Sequence, residues 1–102
     1  MSIVLVGGHD RMHSEYMGIC SKRGHHVKVY TQMPANFEKV IGLPDGIVLF
    51  TSTVSHQMIH TAVKEAKRKK IPVFRCHNSS GASLEGLLQE LEAKTSYAAI
   101  GK

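Results

Sequence analysis

The sequence predicts an α/β fold: one domain built on a four-stranded parallel sheet of order 2-1-3-4, with helices on both faces. Three observations carry this reading. Four short runs, Ser2-Ile3-Val4-Leu5-Val6, residues 27–30, Ile47-Val48-Leu49-Phe50 and Pro72-Val73-Phe74, are apolar or β-branched for most of their length. Near-continuous apolar runs, as opposed to alternating ones, mark strands covered on both faces, the usual state of a parallel sheet. Stretches of helical periodicity separate the runs, and strands alternating with helices give crossover units. The chain has 102 residues, the size of one domain.

Each element follows from its residues. The first strand ends at Gly7-Gly8, a tight turn. His9 or Asp10 opens a helix whose apolar face is Met12, Tyr16, Ile19 and Cys20, at spacings that share one side. Lys22 and Arg23 suit its last turn and Gly24 its end. After the second strand come a loop, Met33-Pro34-Ala35-Asn36, and a short helix over residues 37–41. Pro44-Asp45-Gly46 is a turn signal. Beyond the third strand and Thr51-Ser52-Thr53, the stripe Val54, Met58, Ile59, Ala62, Val63 and Ala66 predicts a long helix closed by the basic run 67–70. The fourth strand ends near Cys76. His77-Asn78-Ser79-Ser80-Gly81 is a polar loop, Ser83 a helix cap, and Leu84, Leu87, Leu88 and Leu91 the last apolar face. Residues 1–94 form the ligand-binding domain and residues 95–102 read as a loose tail.

Composition narrows the function. The net charge is +5, with seven histidines among 102 residues. The charge favours an anionic partner, and histidine is a common metal ligand. Cys20 and Cys76 are too few for a disulfide framework, so reduced thiols and a cytoplasmic location are expected. No apolar run approaches the roughly 20 residues needed to span a bilayer, and residues 3–6 are too short for a signal-peptide core. Secretion and membrane insertion are not expected.

In doubly wound sheets ligands bind beyond the carboxyl ends of the strands, where strand order reverses. Three loops should meet there: Gly7-Gly8-His9-Asp10, Thr51-Ser52-Thr53 with Ser55 and His56, and Cys76-His77-Asn78-Ser79-Ser80. Each leads into a helix N-terminus, which favours anions. Gly7-Gly8 permits close approach by a ligand or is simply a tight turn. The hydroxyls cap a helix, hold an anion, or do both. The dinucleotide and phosphate-loop glycine patterns are absent.

Cys76 and His77 stand where a buried strand meets this rim. Alternation sends neighbours on a strand to opposite sides, so both are not expected to bind one iron from the same chain. The plainer reading is a buried free thiol beside a loop histidine. His9 with His13, and His56 with His60, have i, i+4 spacing and share a helix face if helical; a solvated face is the ordinary reading for His13 and His60. His25-His26 reads as surface on the far rim. Met12, Met17, Met33 and Met58 read as packing residues. Catalysis has little support, since Asp10 is the only acid expected on the rim. The run 67–70 reads as a solvated helix end, and nucleic acid is not expected as a partner.

Val6-Gly7-Gly8-His9-Asp10-Arg11, Phe50-Thr51-Ser52-Thr53-Val54-Ser55-His56 and Arg75-Cys76-His77-Asn78-Ser79-Ser80 together resemble a family of small bacterial proteins. The family was long catalogued as a domain of unknown function, and some members are called "domain related to iron" proteins. The resemblance spans about residues 2–92. It implies a compact Rossmann-like, flavodoxin-like domain, often dimeric, in which some members bind haem b without covalent attachment. It points to His77 as an axial ligand, with Cys76, His9, His13 and Cys20 as candidates for the second. Gly7, Gly8, His9, Asp10, Thr51, Ser52, Thr53, Asn78, Ser79 and Ser80 would line the cofactor. The expectation is a homodimeric haem-binding protein for haem handling, sensing or iron-linked regulation. The alternatives are a regulatory domain binding a phosphate-bearing small molecule on the same rim, and a homodimeric interaction module with zinc on His9, His13 or His56.

Overall fold

The computed structural model describes residues 1–100, without the side chains of residues 38 and 94–100. The strands are β1 (Ser2–Val6), β2 (His26–Tyr30), β3 (Gly46–Phe50) and β4 (Val73–Cys76). The helices are α1 (His13–Lys22), α2 (Phe37–Val40), α3 (His56–Lys69) and α4 (Gly81–Ile100), with a 3-10 turn, Asp10–Met12, before α1. The sheet order is β2-β1-β3-β4 and every pairing is parallel, as the sequence predicts. Val6 lies opposite Leu49, and Phe50 opposite Cys76.

Strand alternation divides the core into two layers. Val4, Val6, Ile47 and Leu49 pack with Phe37 and Ile41 near α2 and with Met58, Ala62 and Ala66 of α3. Ile3, Leu5, Val48 and Phe50 turn the other way, onto Tyr16 and Cys20 of α1 and Leu84, Leu88 and Leu91 of α4. All five residues of β3 are buried, which explains its unbroken apolar run.

Helix ends show where local chemistry overrides periodicity. Val54 belongs to the stripe of α3 but lies before the helix, because Ser55 is its cap: the Ser55 hydroxyl accepts the Met58 N–H at 3.2 Å. At the other end Lys70 is left-handed (φ 58°), and the N–H of Ile71 closes onto Ala66 O at 2.8 Å. That is a Schellman ending built without glycine. The cap of α4 comes three residues earlier than the sequence suggests. Ser80, not Ser83, fills it, its hydroxyl accepting the Ser83 N–H at 3.2 Å. The stretch read as a tail continues α4 as far as Ile100; residues 101 and 102 lie outside the described residues.

Candidate functional site

The three loops at the carboxyl ends of β1, β3 and β4 do converge, and hydrogen bonds tie them together. Gly7 and Gly8 both have positive φ, 100° and 88°. A Cβ on Gly7 would stand 3.0 Å from Phe50 O and from the Val54 side chain. One on Gly8 would stand 2.7 Å from the Tyr16 ring. Glycine is therefore required at Gly8 on two counts, backbone conformation and space. The Gly7 N–H donates to Tyr30 O at 2.8 Å, and the Gly8 N–H to Thr53 Oγ1 at 2.9 Å.

The β3–α3 loop is fastened to the β4–α4 loop. The Thr51 N–H donates to Cys76 O at 2.9 Å, and the Ser52 hydroxyl donates to His77 O. Tyr16 reaches the same loop from α1, its buried hydroxyl donating to Ser79 O at 2.7 Å. Within that loop the Asn78 side-chain oxygen accepts the Ser80 N–H at 3.0 Å, and the Cys76 thiol donates to Asn78 O at 2.9 Å. Asp10 accepts the Thr31 hydroxyl, and the Gln32 amide at 3.4 Å, which secures the loop after β2.

The polar groups that the sequence offers as ligand contacts are thus largely engaged with one another. The exposed imidazoles are different. Among the described residues the rings of His9, His13 and His77 make no hydrogen bond or ion pair. Arg11 and Arg75 are exposed beside them in the chain. Cys76 is half-buried against the α1/α4 layer while His77 is exposed, in keeping with the divergence expected of neighbours.

Cys20 does not share this rim. It is fully buried in the α1/α4 core, and burial pushes its thiol up to about 11. Thiolate is the ligating form, so its place in the core works against a ligand role. His25 is also not the surface residue its position suggests: its side chain is 6% exposed and lies 2.6 Å from the Glu92 carboxylate. Arg23 grips the same carboxylate through two hydrogen bonds of 2.7 and 2.6 Å. His26 is exposed, as expected. Of the methionines, Met58 is core, while Met17 and Met33 are exposed. No group of three metal-binding side chains comes together among the described residues.

Two clefts lie away from the three loops' donors. One, of about 410 Å³, runs between α1 and α4 and is lined by Glu15, Gly18, Ile19, Lys22, Gly81 and neighbours. The other, of about 380 Å³, flanks β2 and includes Met17, His25 and His26. No helix among the described residues is long and apolar enough to cross a membrane.

A family model described as "Uncharacterized protein conserved in bacteria (DUF2325)" matches residues 2–91. The chain belongs to this family. The match takes in all three rim loops and stops within α4. Nothing in it ties the family to iron or haem. No curated protein and no solved structure matches the chain.

Proposed function

We propose that this DUF2325 protein binds haem b non-covalently at the carboxyl rim of its sheet, with His77 as an axial ligand. It would serve haem handling, sensing or iron-linked regulation in the cytoplasm. The observation that supports this best is the division of labour on the rim. Hydroxyls and amides hold the loops to one another, while His9, His13 and His77 present exposed imidazoles with no internal partner among the described residues. A porphyrin supplies four of the iron's ligands, so one or two protein side chains suffice. That requirement suits a rim where, among the described residues, no three donors cluster. The donor set therefore fits haem better than a zinc ion held by protein alone, which needs three or four ligands.

His77 would donate an imidazole nitrogen from a backbone tethered at its carbonyl by the Ser52 hydroxyl. His9 and His13 are the stronger candidates for a second ligand, with Cys76 next, since its thiol is half-buried. Arg11 and Arg75 are exposed cations suited to propionates. Bound haem would supply one-electron redox chemistry. In this reading the working form is a homodimer. A phosphate-bearing ligand is less well supported, because the Gly7 and Gly8 amides it would use already have acceptors.

The test is a titration of apo-protein with ferric haem, followed by the visible spectrum, for the native chain and His77→Ala. The expected result is saturation at a defined stoichiometry with a low-spin spectrum that is lost or altered in the variant. Weak, featureless binding that is equal in both proteins would overturn the reading.

A further inference from the structure

The outer face of α3 is not used by the rim, and its composition is unusual. His56, His60, Lys64 and Lys67 are all exposed and recur at i, i+4, i+8 and i+11, so they fall on one side of the helix. None of the four makes a hydrogen bond or ion pair with a described residue. The single acid of α3, Glu65, does not neutralise them. It is buried at 5% exposure, on the side facing the core, and its carboxylate lies 2.6 Å from Arg68 and 3.6 Å from Lys69. Lys69 is turned away too, donating to Gly42 O at 2.8 Å.

The opposite layer carries both signs. Glu15 belongs to α1, and Glu85, Glu90 and Glu92 to α4. The two faces of one small domain therefore differ: the α3 stripe has no acid within it, while the other layer sets its glutamates beside Lys22 and Arg23, and Arg23 pairs with Glu92. Nothing in the fold requires this, since each core layer is apolar in its own right.

We infer that the outer face of α3 is a docking surface for the phosphate backbone of a nucleic acid. Eleven residues of helix span about 16 Å, an axial length over which one strand of a duplex presents about five phosphates. One cation or imidazole per turn suits such a rail. The contact would be made to phosphates, which carry no sequence information directly, with Lys64 and Lys67 as its cations. The inference is separate from the haem reading: the stripe runs from beside the rim to the far end of the sheet and includes none of the proposed ligands. It reverses the expectation drawn from residues 67–70 as a solvated end, because the charge of the helix is a face and not only a terminus.

The experiment measures fluorescence anisotropy of a labelled 20-base-pair DNA duplex titrated with the full chain at several salt concentrations. Compared are the native protein, Lys64→Glu with Lys67→Glu, and a control with Lys22→Glu and Lys28→Glu, two exposed lysines outside α3. The two variants carry the same net charge, and circular dichroism checks that both are folded. Expected is binding in the range of non-specific contacts, roughly 10⁻⁴–10⁻⁶ M, weakening with salt at a log–log slope of about −2 to −4. The α3 variant should bind at least about 10-fold more weakly, with its slope shallower by about 2. The control should stay within about 3-fold. Equal weakening in both variants would assign the binding to net charge alone and overturn the inference, as would the absence of saturable binding by the native chain.

Discussion

Tyr16 decides the shape of the rim more than any residue on the rim itself. Its ring packs against Phe50 at a centroid distance of 5.2 Å, its hydroxyl holds Ser79 O, and Gly8 leaves it room. Tyr16→Phe keeps the ring and removes the bond, leaving a buried carbonyl without its donor. The cost should be about 1–3 kcal/mol. It should appear as a lower urea midpoint at an unchanged slope, with faster amide exchange in residues 77–80 than in β1. A variant as stable as the native chain, with the loop's exchange unchanged, would refute the role given to the hydroxyl. The sequence could place Tyr16 in the core, because helical spacing shows which side it is on. It could not show the hydroxyl's partner, which is 63 residues away. Asp10 is similar: it was legible as the rim's acid, while its partners Thr31 and Gln32 come from a different loop. Gly7-Gly8 was legible because glycine's signal is local.

At the level of elements, the end of α1, the start of β2 and the body of α4 are joined by one carboxylate. Hydrogen bonds from the Arg23 guanidinium, with His25 adding another, hold the Glu92 carboxyl down to about 2. An acid depressed in the folded state stabilises the fold above its ordinary range, near 4.3. That contribution is lost as pH falls through the folded value. The melting temperature of the native chain should therefore drop steeply between pH 5 and pH 2. Glu92→Gln should melt lower than the native chain at pH 6, fall less over that window, and converge with it near pH 2. Parallel profiles for the two proteins would exclude Glu92 as the source. Glu65, lowered chiefly by its hydrogen bond from Arg68, acts in the same direction and remains in both proteins. Here too the elements themselves were readable from apolar spacing, and the link between them was not. In the His25-His26 pair at a turn, His25 looks like surface until Glu92, 67 residues on, closes over it. Helix ends shifted for a related reason: caps are set by single hydroxyls, Ser55 and Ser80, and periodicity is blind to them.

For the whole molecule, the fold was legible because its logic lies in four apolar runs and the order in which helices interrupt them. That logic also makes the two core layers interdependent. β3 is central, buried along its length, and sends Ile47 and Leu49 to one layer and Val48 and Phe50 to the other. Loss of either layer would bare one face of the strand that holds the other. Unfolding should accordingly be a single transition. Leu49→Ala opens a cavity in the α2/α3 layer and Leu88→Ala one in the α1/α4 layer, each at a cost of about 2–5 kcal/mol. Both should lower one common melting temperature, by at least about 8 °C for a domain of this size. The change should appear equally in far-ultraviolet circular dichroism and in tyrosine fluorescence, to which Tyr16 and Tyr30 contribute from opposite layers. If Leu88→Ala instead produced an early transition in which the α1/α4 layer melted while β3 and α3 stayed protected from exchange, the layers would be separate folding units. The rim would then be assembled from two parts of unequal stability, because Tyr16 and Ser79 would loosen before Thr51 and Ser52.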